Sequence, residues 1–504
     1  MSGTSPYEQI IERLKVQQHY GSALSLLEWD QETYMPDGGA GARAELCSAL
    51  SGIAHEYGIS REMEKLFRIL VDPGSGKIRN AKRLGPRERA VIRETFRRFR
   101  RNRKIPAAHV AAEARATSLA HQAWTVARRK SDFRIALPHL ETIIDLKRRE
   151  CEYVGYDAHP YDALLDVYEP HARTSDIDRI FGELKNPLTA LASRLHHARP
   201  ARILTHSREF EAPRVREFCE ELLSDMGFDF NRGRMDESVH PFSTMMHPHD
   251  VRMTVRRERS PIDQILSTLH EGGHSLYSQG LEASHWGTPL AEATSLGIHE
   301  SQSRLWENQV GRSRPFWTHY FPRLRMKMPR TLARVELDDF LREINRVSFS
   351  FIRVEADEVT YGLHVILRFE MEKALLDGSL QPKDVPAAWN EKMERYLGIR
   401  PKTDAQGCLQ DVHWFTGNVG YFPTYVLGNL YGAQFYRAWK ADHPRWKTEL
   451  RQGRLTPLLA WLRENIHAHG SRFSAAQLVK RVTGETLRAK YFLDYLAETY
   501  GTAK

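Results

Sequence analysis

The chain has 504 residues, 41% hydrophobic and 27% charged, the balance of a folded globular protein rather than a disordered or fibrous one. No apolar run approaches the roughly 20 residues that a helix needs to span a bilayer, so no membrane function is expected. A net charge of +9 suits an acidic partner, but no zinc-finger, homeodomain or RNA-recognition signature is present, and no nucleic acid is expected.

The opening stretch, "MSGTSPYEQIIERLKVQQHY", is polar and then amphipathic, without the apolar segment of a signal peptide, which points to a cytoplasmic protein. "VDPGSGK" at 71–77 reads as an exposed turn. "RERAVIRETFRRFRRNRKIP" at 87–106 concentrates positive charge on what reads as an exposed helix. Apolar residues at three- and four-residue spacing recur in "DFRIALPHLETIIDLKRRECEYVG", "VREFCEELLSDMGF", "EADEVTYGLHVILRFEMEKALLDG" and "TPLLAWLRENIHAHG". The polar stretch around 199–213 breaks the pattern. Strand-like alternation is confined to 235–257, with "VRMTV" the clearest case. The expectation is a mainly α protein with one small sheet. It has no linker long enough to separate independent domains. Cys47, Cys151, Cys219 and Cys408 are scattered, so a metal here must use histidine and carboxylate rather than thiolate.

The stretch "SPIDQILSTLHEGGHSLYSQG", 260–280, reads as a capped helix: Ser260 is the N-cap, Pro261 the first residue, and Gly280 the stop. Ile262, Ile265, Leu266, Leu269 and Leu276 form an apolar stripe with Gly273 at its centre. His270 and His274 project from one side, about 40° apart on the wheel, and Glu271 points further out. Two imidazoles one turn apart can hold zinc, and the adjacent glutamate can take a proton from a water that the metal activates. A catalytic zinc usually takes a third protein ligand. Glu292 and Glu300, 18 and 26 residues after His274, are both acceptable, and spacing does not choose between them. His299 is assigned to packing or hydrogen bonding around the ligands. The third ligand is placed on a second helix starting near Pro289, because Tyr277 and Gly280 interrupt the HExxHxxGxxH continuation.

These motifs, together with "GTPLAEATSLGIHESQSRLWEN", "HPF" at 240–242, "DVRMT" at 250–254, "IRVEAD" at 352–357 and "GCLQDVHW" at 407–414, closely resemble the carboxypeptidase Taq family of metallocarboxypeptidases, peptidase family M32. The resemblance runs over nearly the whole chain, from "LLEWDQETYMPDGG" to "GYFPTYVLGN". It implies a single catalytic domain over 1–504, with a helical N-terminal part at about 1–210 and a zinc core at about 235–430. The implied fold is a large helical protein with a long deep groove, similar to neurolysin-like oligopeptidases and angiotensin-converting enzyme. Small departures are Ser278, Ala291, the Met- and His-rich "STMMHPHD", and added charge at Arg256 and Arg257.

Carried onto this sequence, the resemblance makes His270, His274 and Glu300 the ligands of one Zn2+ per subunit, with Co2+ or Mn2+ as alternatives, and Glu271 the general base. It implies that His413 and Tyr425, with Tyr421 as an alternative, hydrogen-bond the substrate and the oxyanion. An exopeptidase must also recognise a free carboxylate, which an arginine fork suits. Arg353 is preferred for this role. Arg252 is read mainly as a buttress of the metal-bearing helix, and His240 as a substrate or loop contact. The implied activity is the release of single C-terminal residues from peptides, by a homodimer.

Overall fold

Several helix starts in this chain are set by capping side chains. Ser5 and Glu8 form a reciprocal capping box, as do Ser474 and Gln477, while Ser60, Ser260 and Ser295 each accept a backbone N–H of the first turn. The computed structural model describes residues 4–196, 212–256 and 260–501. Arg257, and the polar break at 199–213 as far as 211, lie outside the described residues.

In chain order the helices are α1 (Pro6–Thr33), α2 (Ala40–Gly58), α3 (Arg61–Leu70), α4 (Pro86–Lys104), α5 (Ala107–Lys130), α6 (Phe133–Val154), α7 (Tyr161–Tyr168), α8 (Thr174–His196) and α9 (Ala212–Met226). Three strands follow: β1 (Gly233–Glu237), β2 (Ser243–His247) and β3 (Asp250–Val255). Then come α10 (Pro261–Gly280), α11 (Leu296–Arg304), α12 (Arg314–Lys327), α13 (Leu337–Ile344), α14 (Glu358–Asp377) and α15 (Val385–Leu397). The last helices are α16 (Pro423–Asp442), α17 (Trp446–Arg451), α18 (Thr456–Asn465), α19 (Ala475–Thr483) and α20 (Lys490–Tyr500). The expected mainly α architecture with one small sheet is what the chain adopts. The turn at 71–77 is also present: Asp72 accepts from the Ser75 backbone and hydroxyl, and its own N–H donates to the Lys77 carbonyl.

The chain divides into two compact units, each assembled from three separate stretches. The first comprises Met1–Arg103, Arg202–Ile344 and Phe435–Thr486; the second comprises Lys104–Ala201, Asn345–Gln434 and Leu487–Lys504. Neither follows the division at about 1–210 and 235–430. Interleaving of this kind leaves no linker to read in the sequence.

In the first unit the sheet has the order β1-β3-β2, with β1 parallel and β2 antiparallel to β3. The sheet, α9 and α11 pack on α10. The apolar stripe of α10 is buried at Ile265, Leu266, Leu269 and Leu276. Burial of this kind contributes about 1.5–3 kcal/mol per large aliphatic side chain. Gly273 marks the tightest approach. A Cβ there would lie 2.6 Å from the Gln302 carbonyl oxygen and 2.7 Å from the Ser303 Cα, so α11 can sit against α10 only because that atom is missing. Gly272 does the same on another side, where a Cβ would meet Leu223 Cδ2 of α9 at 2.7 Å.

The second unit is built around α14, which packs on α6, α7, α8 and α15. Its apolar residues are buried on all sides, and so are His364, Arg368 and Glu372. These three follow one another at four-residue spacing and make a polar seam along a helix otherwise fit for a core.

Candidate active site

The metal-ligand candidates stand on two helices that the glycine contact holds together. His270 Nε2 lies 3.6 Å and His274 Nε2 3.3 Å from Glu300 Oε2. The three ligand atoms are all within 4.8 Å of one another. Atoms bound about 2.0–2.2 Å from a tetrahedral zinc are roughly 3.3–3.6 Å apart, so these residues fit such an ion. Charged and polar side chains orient them. His270 Nδ1 is 2.8 Å from Glu307 Oε2, which leaves Nε2 to face the ligand cluster. Arg304 Nε donates to Glu300 Oε1 at 2.7 Å, and Ser303 Oγ donates to Glu300 Oε2 at 3.0 Å. Arg304 also reaches Glu307 Oε2 at 3.3 Å.

Burial pushes the carboxyls of Glu300 and Glu307 up, but Arg304 first, and then the histidines, outweigh it. Glu300 is held well below the usual carboxylate range and Glu307 at about 2, with Arg312 adding to the pull on Glu307. Glu271 is buried, and its Oε2 has no hydrogen-bond partner among the described residues. Desolvation raises its carboxyl above the ordinary value. His299 stacks on His274, with ring centroids 4.4 Å apart and planes 17° apart. That is the packing role expected of it.

The helix expected near Pro289 starts later. Pro289–Ala291 is one 3-10 turn, and α11 begins at Leu296 with Ser295 as its cap. Tertiary hydrogen bonds hold the intervening residues out of a helix. Thr294 Oγ1 donates to the Gly470 carbonyl at 2.7 Å, the Thr294 N–H donates to Tyr277, and Ser471 Oγ donates to the Ala293 carbonyl at 2.7 Å. Glu292, left in this stretch, pairs with Arg98 at 2.6 Å. Beyond α11 the chain continues as a π-helix over Leu305–Val310, and this wider turn carries Glu307.

Arg252 and His240 belong to the same unit. Arg252, on β3, forms a paired ion contact with Asp250 at 3.0 and 3.1 Å and lies over the Trp29 ring at 4.3 Å. Its side chain is thus engaged with α1 and its own strand. His240 is exposed, and its carbonyl accepts from Ser238 Oγ at 2.6 Å.

Arg353, His413, Tyr421 and Tyr425 come together in the second unit, around Asp411. Arg353 is 4% exposed; Nε and Nη2 donate to Asp411, Nη2 at 2.8 Å, and Nη1 donates to Tyr361 at 3.1 Å. Two N–H groups of its five-donor fork stay uncommitted among the described residues. Arg368 grips the other Asp411 oxygen at 2.6 Å through Nε and donates to Gln410 at 2.8 Å. Burial would raise the Asp411 carboxyl, yet Arg368 and Arg353 hold it well below its usual range. His413 Nε2 is 3.3 Å from the Tyr425 hydroxyl, and Tyr421 packs 5.2 Å from the Tyr425 ring. Burial pushes the His413 imidazole down to about 4, with the two arginines adding and Asp411 opposing, so it is neutral at physiological pH.

Below this cluster Glu372 accepts from Tyr161 Oη at 2.6 Å, Trp414 Nε1 at 2.8 Å and Gly420 N at 3.1 Å. It ties α7, α14 and the loop after His413 to one carboxylate. Arg304, Glu307, Arg368 and Glu372 carry a spacing signal in the sequence, whereas Asp411 carries none. Glu300, Arg304 and Glu307 repeat at four- and three-residue steps, as the polar seam of α14 repeats at four.

A second cluster that could hold a metal, His109, Glu113 and Glu150, already contains a cation. The Lys147 ammonium lies 2.9 Å from Glu150 and pairs with Glu113.

A family model for the carboxypeptidase Taq (M32) metallopeptidases matches residues 9–500. Thermostable carboxypeptidase 1 of Thermus thermophilus is 41% identical over 519 residues, covering 99% of each chain. Carboxypeptidase 1 of Bacillus subtilis is 38% identical over 496 residues, covering 98% of this chain and 97% of that one. Among solved structures, the M32 carboxypeptidase of Deinococcus radiodurans superposes with a TM-score of 0.94 at 38% identity, covering 99% of each chain.

Proposed function

From its membership of the carboxypeptidase Taq (M32) family, to which this chain belongs as a metal-dependent carboxypeptidase, we propose that the metal is zinc, one per subunit. His270, His274 and Glu300 would hold it. The observation that carries this reading is the convergence of three ligand atoms within 4.8 Å, beside a buried glutamate whose Oε2 has no partner. When bound, the ion supplies a Lewis acid that polarises the scissile carbonyl and acidifies a water.

Glu271 accepts the proton of the attacking water and returns it to the leaving amine; its unpartnered oxygen is the acceptor. Glu307 keeps His270 in the tautomer that presents Nε2. His413 and Tyr425 donate to the oxyanion, and Tyr421 supports them. The free donors of Arg353 take the substrate carboxylate, while Asp411 fixes the guanidinium. Arg252, paired with Asp250 and lying over Trp29, is given chiefly a structural role beside the peptide, and His240 is a substrate or loop contact. The products are single C-terminal amino acids, released with broad specificity. The family resemblance also supports a homodimer and a cytoplasmic location.

A time course on a mixed peptide library, followed by mass spectrometry, tests the reading. It should give single-residue ladders from the C-terminus, lost on chelation and restored by zinc. Cleavage of C-terminally blocked peptides at an equal rate would contradict it. Glu271→Gln should keep stoichiometric zinc yet lose at least about 1000-fold in kcat. Near-normal turnover in that variant rules out Glu271 as the base.

A further inference from the structure

The peptidase reading leaves the basic run of α4 without a role. Most of its cations are paired. Arg93 and Arg97 lie on Glu94, Arg98 on Glu292 and Arg103 on Glu64, while Arg87 is 3.6 Å from Glu282. Arg89 has no carboxylate partner among the described residues, and neither do Arg472, Lys480 and Arg481 around the start of α19. These four and Arg93 line one open concavity of about 690 Å³, and among the described residues no aspartate or glutamate lines it.

The cluster is organised rather than a scatter of surface lysines. Arg93 Nη2 donates to the Arg472 carbonyl at 2.8 Å, which ties α4 to the segment before α19. Phe473 lies within cation–π reach of two guanidiniums, with Arg472 Cζ 5.1 Å and Arg481 Cζ 5.4 Å from its ring centroid. His469, whose ring is 5.4 Å from that of Phe473, registers the field. Burial lowers its proton affinity first, and Arg481, Arg472 and Arg87 lower it further, with Glu282 opposing.

Like charges held this close repel, and a multiply charged anion would remove the repulsion. Guanidinium forks match phosphate oxygens in pairs, and an aromatic ring offers a face to a flat ligand. We propose that the concavity between α4 and α19 binds a small phosphate-bearing polyanion of the nucleoside triphosphate or inorganic polyphosphate class. Farther along α4, Arg97, Arg98 and Arg103 are each paired with a glutamate, so much of the charge beyond the concavity is neutralised. A compact ligand therefore fits better than a nucleic acid strand.

The test is calorimetric titration of the full-length, metal-loaded protein at physiological salt with magnesium–ATP, magnesium–tripolyphosphate and a single-stranded RNA. Excess magnesium keeps the probes from stripping the enzyme's metal. Saturable one-to-one binding of ATP or tripolyphosphate is expected, and a Lys480→Gln/Arg481→Gln variant should bind about tenfold or more weakly. Neither residue belongs to the peptidase machinery, so unchanged peptide hydrolysis shows that the variant is folded. Tighter ATP binding assigns a nucleotide, with Phe473 under the base; tighter tripolyphosphate binding assigns the inorganic anion. Absence of saturable binding by both, equal binding by the variant, or RNA affinity that exceeds both and grows with length each overturns the proposal.

Discussion

A buried carboxylate is stable only when its neighbours replace the water it lost, and two glutamates here show different solutions. Glu307 is held ionised by Arg304, His270 and Arg312. Glu307→Gln keeps the volume but removes the charge that fixes the His270 tautomer. Metal affinity should fall about 10- to 100-fold, measured by competition with a chelator, while Glu271→Gln should leave it unchanged. Glu372 has three donors but no full countercharge in contact, and burial pushes its carboxyl up to about 7. A folded value above the unfolded one contributes stability that is complete below about pH 4.5 and is lost as pH rises to about 7. Wild-type unfolding free energy should therefore fall across that window, by an amount on the order of 3 kcal/mol. Glu372→Gln cannot titrate, so its profile from pH 5 to 8 should be flatter; parallel profiles would contradict the assignment. At low pH the variant should be less stable by about 1–3 kcal/mol, because the amide N–H₂ faces a donor.

At the scale of elements, the two glycines of "HEGGH" do separate work. Gly273 admits the backbone of α11, and Gly272 admits Leu223 of α9. A Cβ at 273 meets main chain, which cannot rotate away. Gly273→Ala should cost about 1–3 kcal/mol in urea unfolding and weaken metal binding with it, since Glu300 rides on α11. At 272 the obstacle is the end of a flexible leucine, and alanine recovers about 1 kcal/mol of helix propensity. Gly272→Ala should therefore be nearly neutral. Equal losses in the two variants would refute this division of labour. The caps of α10 and the stripe on its face were legible in sequence, because both are local. The late start of α11 was not: Thr294 is drawn out of the helix by partners as distant as Gly470.

For the whole molecule, if His270, His274 and Glu300 hold the metal as proposed, its binding would tie α10 to α11 and add to the stability of the first unit. Chelation should lower the midpoint of thermal unfolding by several degrees, as expected for a ligand present at about 1000 times its Kd. His274→Ala should show no such shift on chelation. The sequence by itself determined the helical class, the place of the small sheet, the histidine pair and caps of α10 and the family. Each of these rests on local periodicity or on ordered motifs. Tertiary structure decided which cations are paired, that Glu307 and Arg304 hold His270 and Glu300, and that Arg353 and Arg368 share Asp411. It also decided that the chain folds as two interleaved units. Those outcomes depend on residues far apart in the chain, and side-chain spacing along one helix carries no record of what the fold will bring against it.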